Sequence, residues 1–243
     1  MTDKTCLIIG AGDGLGQALS KQFAEKGYDL ALVSRSQSGS KVALNAAEVA
    51  KPGGRHGYFP GDATKPKSMS NVVQQIQSGY GCIDILIYNA RGSYTPKEPL
   101  EMTFSDLDEI YQLEVVGAFA AAKVLLPKMI ERGHGTIIYS SATAALRGSG
   151  TNPLYAIGKF GLRALSQSLA KAYSKNGIHV AHVRLDCTLD VPLIRKWLGD
   201  KFMEEDASNV NDVAESYWWI HNQPKSAWSN EVELRPYTEN WSF

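Results

Sequence analysis

No apolar run in this 243-residue chain approaches the ~18 residues that a bilayer-spanning helix needs. The start carries only the short apolar stretch Leu7–Ile9 before glycines begin, too short for a signal-peptide core. An excess of either charge is also missing, since 25 Lys and Arg face 25 Asp and Glu. A neutral chain exerts no general pull on phosphate backbones or anionic lipid, so neither nucleic acid nor a membrane is expected as partner. Cysteine is scarce: Cys6, Cys82 and Cys187 are odd in number and far apart. That suits reduced thiols in a cytoplasmic setting, not a disulfide framework. Neither HExxH nor CxxC occurs. His179 and His182, three residues apart on a strand, would face opposite ways and share no metal. His56, His134 and His221 are isolated and are expected in loops or on the surface. No linker or internal repeat divides the chain, and residues 1–243 read as one domain.

What is present is alternation. Short aliphatic runs at Cys6–Gly10, Leu30–Ser34, 56–62, 83–89, 135–141, Ile178–Asp186 and Glu231–Leu234 read as seven strands. Stretches of helical period lie between most of them, the first two at about Leu15–Lys26 and Val42–Ala50. Continuous rather than alternating apolar runs suit strands covered on both faces. Strand–helix–strand repetition then predicts an α/β fold, one doubly wound domain with a central parallel seven-stranded sheet and helices on both faces.

Two segments carry chemistry. Gly10-Ala11-Gly12-Asp13-Gly14-Leu15-Gly16 lies between the first strand and the first helix. There a dinucleotide pyrophosphate can meet backbone N–H groups and the positive helix end. The glycine spacing is GxxxGxG, through Gly10, Gly14 and Gly16, and no Lys-Ser/Thr pair follows as a P-loop requires. At the end of the second strand stand Ser34 and Arg35, where an acid would favour NAD(H). A guanidinium suits a 2′-phosphate, so NADP(H) is preferred over NAD(H). The second segment, Tyr155-Ala156-Ile157-Gly158-Lys159, places a phenol and an ammonium four apart on one helix face. A nearby cation lowers a phenol pKa and allows proton exchange near neutral pH. Leu162, Leu165 and Leu169 continue that helix as an apolar stripe, and a strand upstream ends in Ser140-Ser141.

Taken in order, the GxxxGxG loop, Asp62, Asn89-Ala90, Ser141 and Tyr155-x-x-x-Lys159 make the chain resemble the classical short-chain dehydrogenases/reductases over nearly its whole length. The resemblance implies a Rossmann-type oxidoreductase that moves a hydride between NADP(H) and a carbonyl or alcohol. It implies Tyr155 as general acid/base, Lys159 on the nicotinamide ribose and lowering the Tyr155 pKa, and Ser141 positioning the substrate oxygen. Asp62, with Ala63 beside it, would meet the adenine, and Asn89, Ala90 and Arg91 would line the cofactor's course. Subunit pairing through the fourth and fifth helices is implied as well, giving a homodimer or homotetramer, and the small residues of Gly117–Lys123 allow close approach there.

The chain departs from the family pattern in four places. Glu114 stands where the family has a helix Asn, and the stripe Leu107, Ile110, Ala118, Ala121 and Leu125 turns it inward. A buried carboxylate pairs with a cation or takes up a proton. Glu114 is therefore expected among the catalytic residues, holding the relay water and making the rate more pH-dependent. Arg91 replaces a glycine, and either covers the cofactor or points away. Asp186-Cys187 replaces Pro-Gly, and Val191 replaces a Thr that meets the nicotinamide amide, leaving backbone contacts through Leu189. Ser141 precedes Tyr155 by fourteen residues, one more than usual, so Ser140 and Thr143 are alternatives. These departures motivate a second reading, a catalytically degenerate NADP(H)-binding sensor. Residues of about 188–215 are expected to form a lid, whose Leu, Val, Ile and Trp imply a partly apolar small-molecule substrate. An aromatic tail, 222–243, follows; the chain from Trp218 onward holds four of its five tryptophans, Trp218, Trp219, Trp228 and Trp241.

Overall fold

The computed structural model describes residues 4–92 and 95–240; Trp241 and Phe243 of the tail lie outside them. Its strands are β1 (Thr5–Ile9), β2 (Asp29–Ser34), β3 (His56–Pro60), β4 (Ile85–Tyr88), β5 (Gly135–Ala142), β6 (Ile178–Leu185), β7 (Thr188–Asp190), β8 (Ala207–Asn209) and β9 (Glu231–Leu234). The helices are α1 (Leu15–Glu25), α2 (Gln37–Ala50), α3 (Pro66–Tyr80), α4 (Phe104–Tyr111), α5 (Gly117–Arg132), α6 (Pro153–Tyr173), α7 (Pro192–Leu198) and α8 (Val210–His221).

Seven strands form one parallel sheet in the order β3-β2-β1-β4-β5-β6-β9, and β7 pairs with β8 in a separate parallel ribbon. β1, β4 and β5 are buried along their whole length, as continuous apolar runs require. One face packs Met69, Val73 and Ile76 of α3, Leu125 of α5 and Leu162 of α6. The other packs Leu19 and Phe23 of α1, Ala43 of α2, and Val213 and Tyr217 of α8. From β1 the chain winds outward to β3, then returns to the other side of β1 as β4. That reversal opens a crevice beyond the strands' C-terminal ends.

α4 and α5 are joined without a break by a π-helical turn, Gln112–Val116, which carries Glu114. One extra residue in that turn frees the Leu113 carbonyl, which accepts from the Tyr88 hydroxyl. Local rearrangements of this kind are common at functional sites.

The structure differs from the sequence reading at three points. α2 begins at Gln37, because Ser40 in its first turn is held in the fold by donating to the Ala11 carbonyl at 2.8 Å; weak helix formers there hid the start. The stretch 188–215 divides: β7, α7 and β8 lead to Asn209, whereas α8 begins at Val210 and buries Val213 and Ala214 in the core. His221 is not in a loop and is half-buried. It ends α8 between the Tyr28 hydroxyl and the Thr136 hydroxyl, each at 2.8 Å, and burial lowers its pKa to about 4.

Gly117 begins α5 where a Cβ would stand 2.1 Å from the Ala63 carbonyl oxygen. Alanine improves helix propensity by about 1 kcal/mol, but overpacking against backbone costs about 1–3 kcal/mol. Gly117→Ala is expected to lower stability, and a rise in the urea midpoint would contradict this account of the α5 packing.

Candidate active site

The crevice is a cavity of about 780 Å³. It is lined by the glycine loop, Ser34, Arg35, Asp62, Ala63, Asn89, Ala90, Arg91, Ser141, Tyr155, Lys159 and Leu189. Of the residues given a site role from the sequence, all but Glu114 and the alternative Thr143 lie on its wall.

The loop is shaped by close approaches. Gly10 has φ +88°, and a Cβ there would sit 2.4 Å from the Asn89 carbonyl oxygen. A Cβ on Gly16 would meet Ala11 Cα and the Gly10 oxygen at 2.8 Å. At Gly12 a Cβ would meet nothing within 4 Å. The Asn89 amide donates to the Gly10 carbonyl at 3.0 Å, tying β4 to the loop. No side chain caps the N-terminus of α1, and Gly14, Leu15 and Gly16 at that end line the cavity, the placement that anion binding uses. The Ser34 hydroxyl is engaged within the chain, donating to Ser36 O at 2.8 Å and meeting Ser40 Oγ at 2.7 Å. It braces the turn that presents the exposed Arg35. At Asp62 partial burial raises the pKa, but hydrogen bonds from Thr64 and the charges of Lys65 and Arg35 bring it below its ordinary value.

At the other end, three hydroxyls competed for the substrate oxygen, and their partners separate them. Ser140 Oγ accepts from the Tyr217 hydroxyl at 2.8 Å, and Thr143 donates to Asp186. Ser141 is 4% exposed and its buried Oγ has no hydrogen-bond partner. Alternation along β5 explains the division, since Ser140 faces α8 while Ser141 faces the α6 side. A buried hydroxyl without a partner is costly unless a ligand supplies one.

The Tyr155-x-x-x-Lys159 pair lies on the first turns of α6, which Pro153 opens. Lys159 Nζ stands 5.8 Å from the Tyr155 ring centre. The ammonium does not serve the phenol alone: it donates to Glu114 Oε2 at 2.9 Å and to Ser140 O at 3.3 Å. The two side chains are 5% and 0% exposed. Glu114 has therefore met the expectation of a cation partner, and that partner is Lys159. Burial pushes the Tyr155 phenol above its ordinary value, while Lys159 pulls it down, Glu114 pushes it up and Arg91 pulls it down. Lys159 lowers the phenol pKa as expected, but burial, with the Glu114 charge, outweighs it.

Sequence reasoning missed Glu109 and Leu113, which line the cavity from one face of the α4 segment, four residues apart. It also missed Leu193, Ile194 and Trp197 of α7 as individual wall residues. At Cys187 burial raises the thiol pKa, which keeps it protonated. Asp186 is held by Thr143 and lies 3.6 Å from Arg235, which also reaches Glu233 at 3.2 Å. Among the described residues no cluster of three His, Cys, Asp or Glu could hold a metal, and no helix is long and apolar enough to cross a membrane.

The family model for short chain dehydrogenases matches residues 4–196. The chain belongs to the short-chain dehydrogenase family of oxidoreductases. This short-chain dehydrogenase is 30% identical over 187 residues to the ketoacyl reductase HetN of Nostoc sp., covering 75% of the chain and 63% of that relative's length. A short-chain dehydrogenase structure from Rhodopseudomonas palustris is 29% identical, with TM-score 0.81 and coverage of 96% of this chain and 99% of that one. The L-sorbose reductase of Gluconobacter frateurii, solved with NADPH and L-sorbose, shares the fold at 20% identity, TM-score 0.83 and 96% coverage of each chain.

Glu114→Gln keeps the shape but removes the charge. It should cost about 1.5–3 kcal/mol in urea unfolding at neutral pH. Removing a charge that raises the Tyr155 pKa should also move the Tyr155-dependent limb of the pH–rate profile to lower pH. An unchanged profile would sink this role for Glu114.

Proposed function

We propose that the protein is an NADP(H)-dependent oxidoreductase that interconverts a small, partly apolar carbonyl compound and its alcohol. One observation carries the reading: a single cavity is lined by the glycine loop and Arg35 at one end and by Ser141, Tyr155 and Lys159 at the other. The residues fit the cofactor, because the backbone at Gly12 is open, the α1 N-terminus is uncapped and Arg35 is exposed at the end of β2. NADPH in the sorbose reductase complex supports the same choice.

When bound, the nicotinamide supplies or accepts the hydride. The rest falls to this chain. Arg35 holds the 2′-phosphate with a forked, permanent charge. Leu15, Gly16 and the loop amides receive the pyrophosphate, and Asp62, Ala63, Asn89, Ala90 and Arg91 border the cofactor's path. Leu189 offers backbone groups on the nicotinamide side. The Ser141 hydroxyl, left without a partner inside the fold, donates to the substrate oxygen. Tyr155 gives its proton to that oxygen in reduction and takes it back in oxidation. Lys159 holds the ribose, and Glu114 positions Lys159. Leu113, Leu193 and Trp197 wall the substrate end with apolar surface, which expels water and strengthens these contacts.

Arg35→Asp should weaken NADPH binding by about 10–100-fold, the worth of a charged hydrogen-bond set, and narrow the gap to NADH; unchanged NADPH affinity by fluorescence titration would overturn the cofactor assignment. Tyr155→Phe should lower kcat by about 10²–10⁴-fold with NADPH binding kept. Cofactor binding without turnover on a broad carbonyl panel, unaffected by Tyr155→Phe, would replace the enzyme with a sensor.

A further inference from the structure

Tyr88 at the end of β4 is fully buried and lies outside the cavity wall, yet it touches the segment that shapes the catalytic end. Its place in the sheet is fixed on both sides, by Ile9 of β1 and Tyr139 of β5. The Tyr139 ring meets it edge-on, with centres 6.3 Å apart and planes at 60°. Burial, reinforced by the Glu114 charge, raises its phenol pKa well above the ordinary value. Tyr88 therefore keeps its proton and remains a hydrogen-bond donor.

It donates to the Leu113 carbonyl. In a regular α-helix that carbonyl would accept from the Gly117 N–H, four residues on. Here the Gly117 N–H bonds to Gln112 O, five residues back, and the Leu113 carbonyl is released inside the core. A buried carbonyl left without a donor is costly, so the π-helical turn needs another donor in place of Gly117. Tyr88 is that donor. Gly117 makes room for it, because a Cβ there would stand 2.9 Å from the Tyr88 hydroxyl.

The turn matters because it sets which way Glu114 faces. Each residue turns a helix by ~100°, and a π turn absorbs one extra residue. A return to α-helical bonding would therefore rotate Glu114 relative to α5. As built, Glu114 packs against α6 where Gly158 has no side chain, since a Cβ there would lie 2.8 Å from Glu114 Cγ. The carboxylate then reaches Lys159 Nζ at 2.9 Å, and Lys159 Nζ stands 5.8 Å from the Tyr155 ring centre. A chain of contacts runs from a sealed tyrosine to the one on the cavity wall.

We propose that Tyr88 is a positioning residue: by holding the Leu113 carbonyl, its hydroxyl keeps the π-helical turn that aims Glu114 at Lys159, and so sets the surroundings of Tyr155. The inference rests on Tyr155 as the acid/base proposed above.

Tyr88→Phe keeps the ring and removes the donor. Its crystal structure should show the Glu114–Lys159 contact lengthened beyond ~4 Å, the limit of an ion pair. With Glu114 drawn off, Lys159 acts on the phenol less opposed, so the Tyr155-dependent limb of the pH–rate profile should move at least ~0.5 pH unit lower. Added to Glu114→Gln, Tyr88→Phe should move the limb no further. Ile76→Ala empties a buried position in α3 and should lower the urea midpoint without moving the limb, the behaviour that a merely structural Tyr88 would share. An intact contact, an unmoved limb or a further shift in the double variant would each overturn the proposal. If Tyr88→Phe fails to fold, Gly117→Ala decides, because its methyl group crowds the same hydroxyl: the limb should move lower there too, and an unmoved limb overturns the proposal. Turnover that survives Tyr155→Phe would sink the acid/base reading, while the crystal structure of Tyr88→Phe judges the role of Tyr88 independently.

Discussion

The buried ion pair between Lys159 and Glu114 is the constraint on which the catalytic end of this protein depends. Two charges withdrawn from water are costly, and only close geometry with further hydrogen bonds offsets that cost. Here the 2.9 Å contact and the Ser140 carbonyl supply both. The pair also joins three elements: the π-helical turn between α4 and α5, the first turns of α6, and the end of β5. Tyr155 sits one helical turn from Lys159, so its position and its proton affinity follow from the same bond. A carboxylate where the family carries an amide makes the ammonium a shared resource, drawn on by Glu114 and by the phenol.

The opposite end of the crevice relies on backbone rather than charge. Gly10 and Gly16 let the loop close on β4 and on itself, and Asn89 fastens it. What results is a loop of closely packed backbone with Arg35 exposed beside it, the residue proposed above to choose at the 2′ position. Neither end makes the site alone. The reversal of strand order beside β1 brings them to one cavity, as open parallel sheets do at such points. Asp186, in place of the family proline, adds a further tie, linking Thr143 and Arg235 beneath the segment that leads to α7. The C-terminal strand thereby reaches the edge of the substrate end.

Much of this was legible in the chain. Continuous apolar runs marked the strands, because a strand buried on both faces has no polar face to show. Glycine spacing marked the loop, because only glycine allows such approaches. The inward register of Glu114 was readable from helical period, and so was its need for a cation. Elsewhere the pattern was silent. Ser and Gly residues concealed the first turn of α2, and an isolated histidine gave no hint that α8 would carry His221 between the Tyr28 and Thr136 hydroxyls. Glu109 and Trp197 carry no motif; they matter only because α4 and α7 come to rest on the cavity.

The amino-acid order by itself determined the fold class, the loop and the Tyr–Lys pair, since each rests on contacts between residues near in sequence or on a local period. Tertiary structure alone decided which of the three hydroxyls is left without a partner, which cation Glu114 takes, and which way the phenol's proton affinity moves. Those outcomes depend on partners far apart in the chain, such as Tyr217 with Ser140, Asp186 with Thr143 and Lys159 with Glu114. Burial and distance are properties of the assembled core, and no local period encodes them.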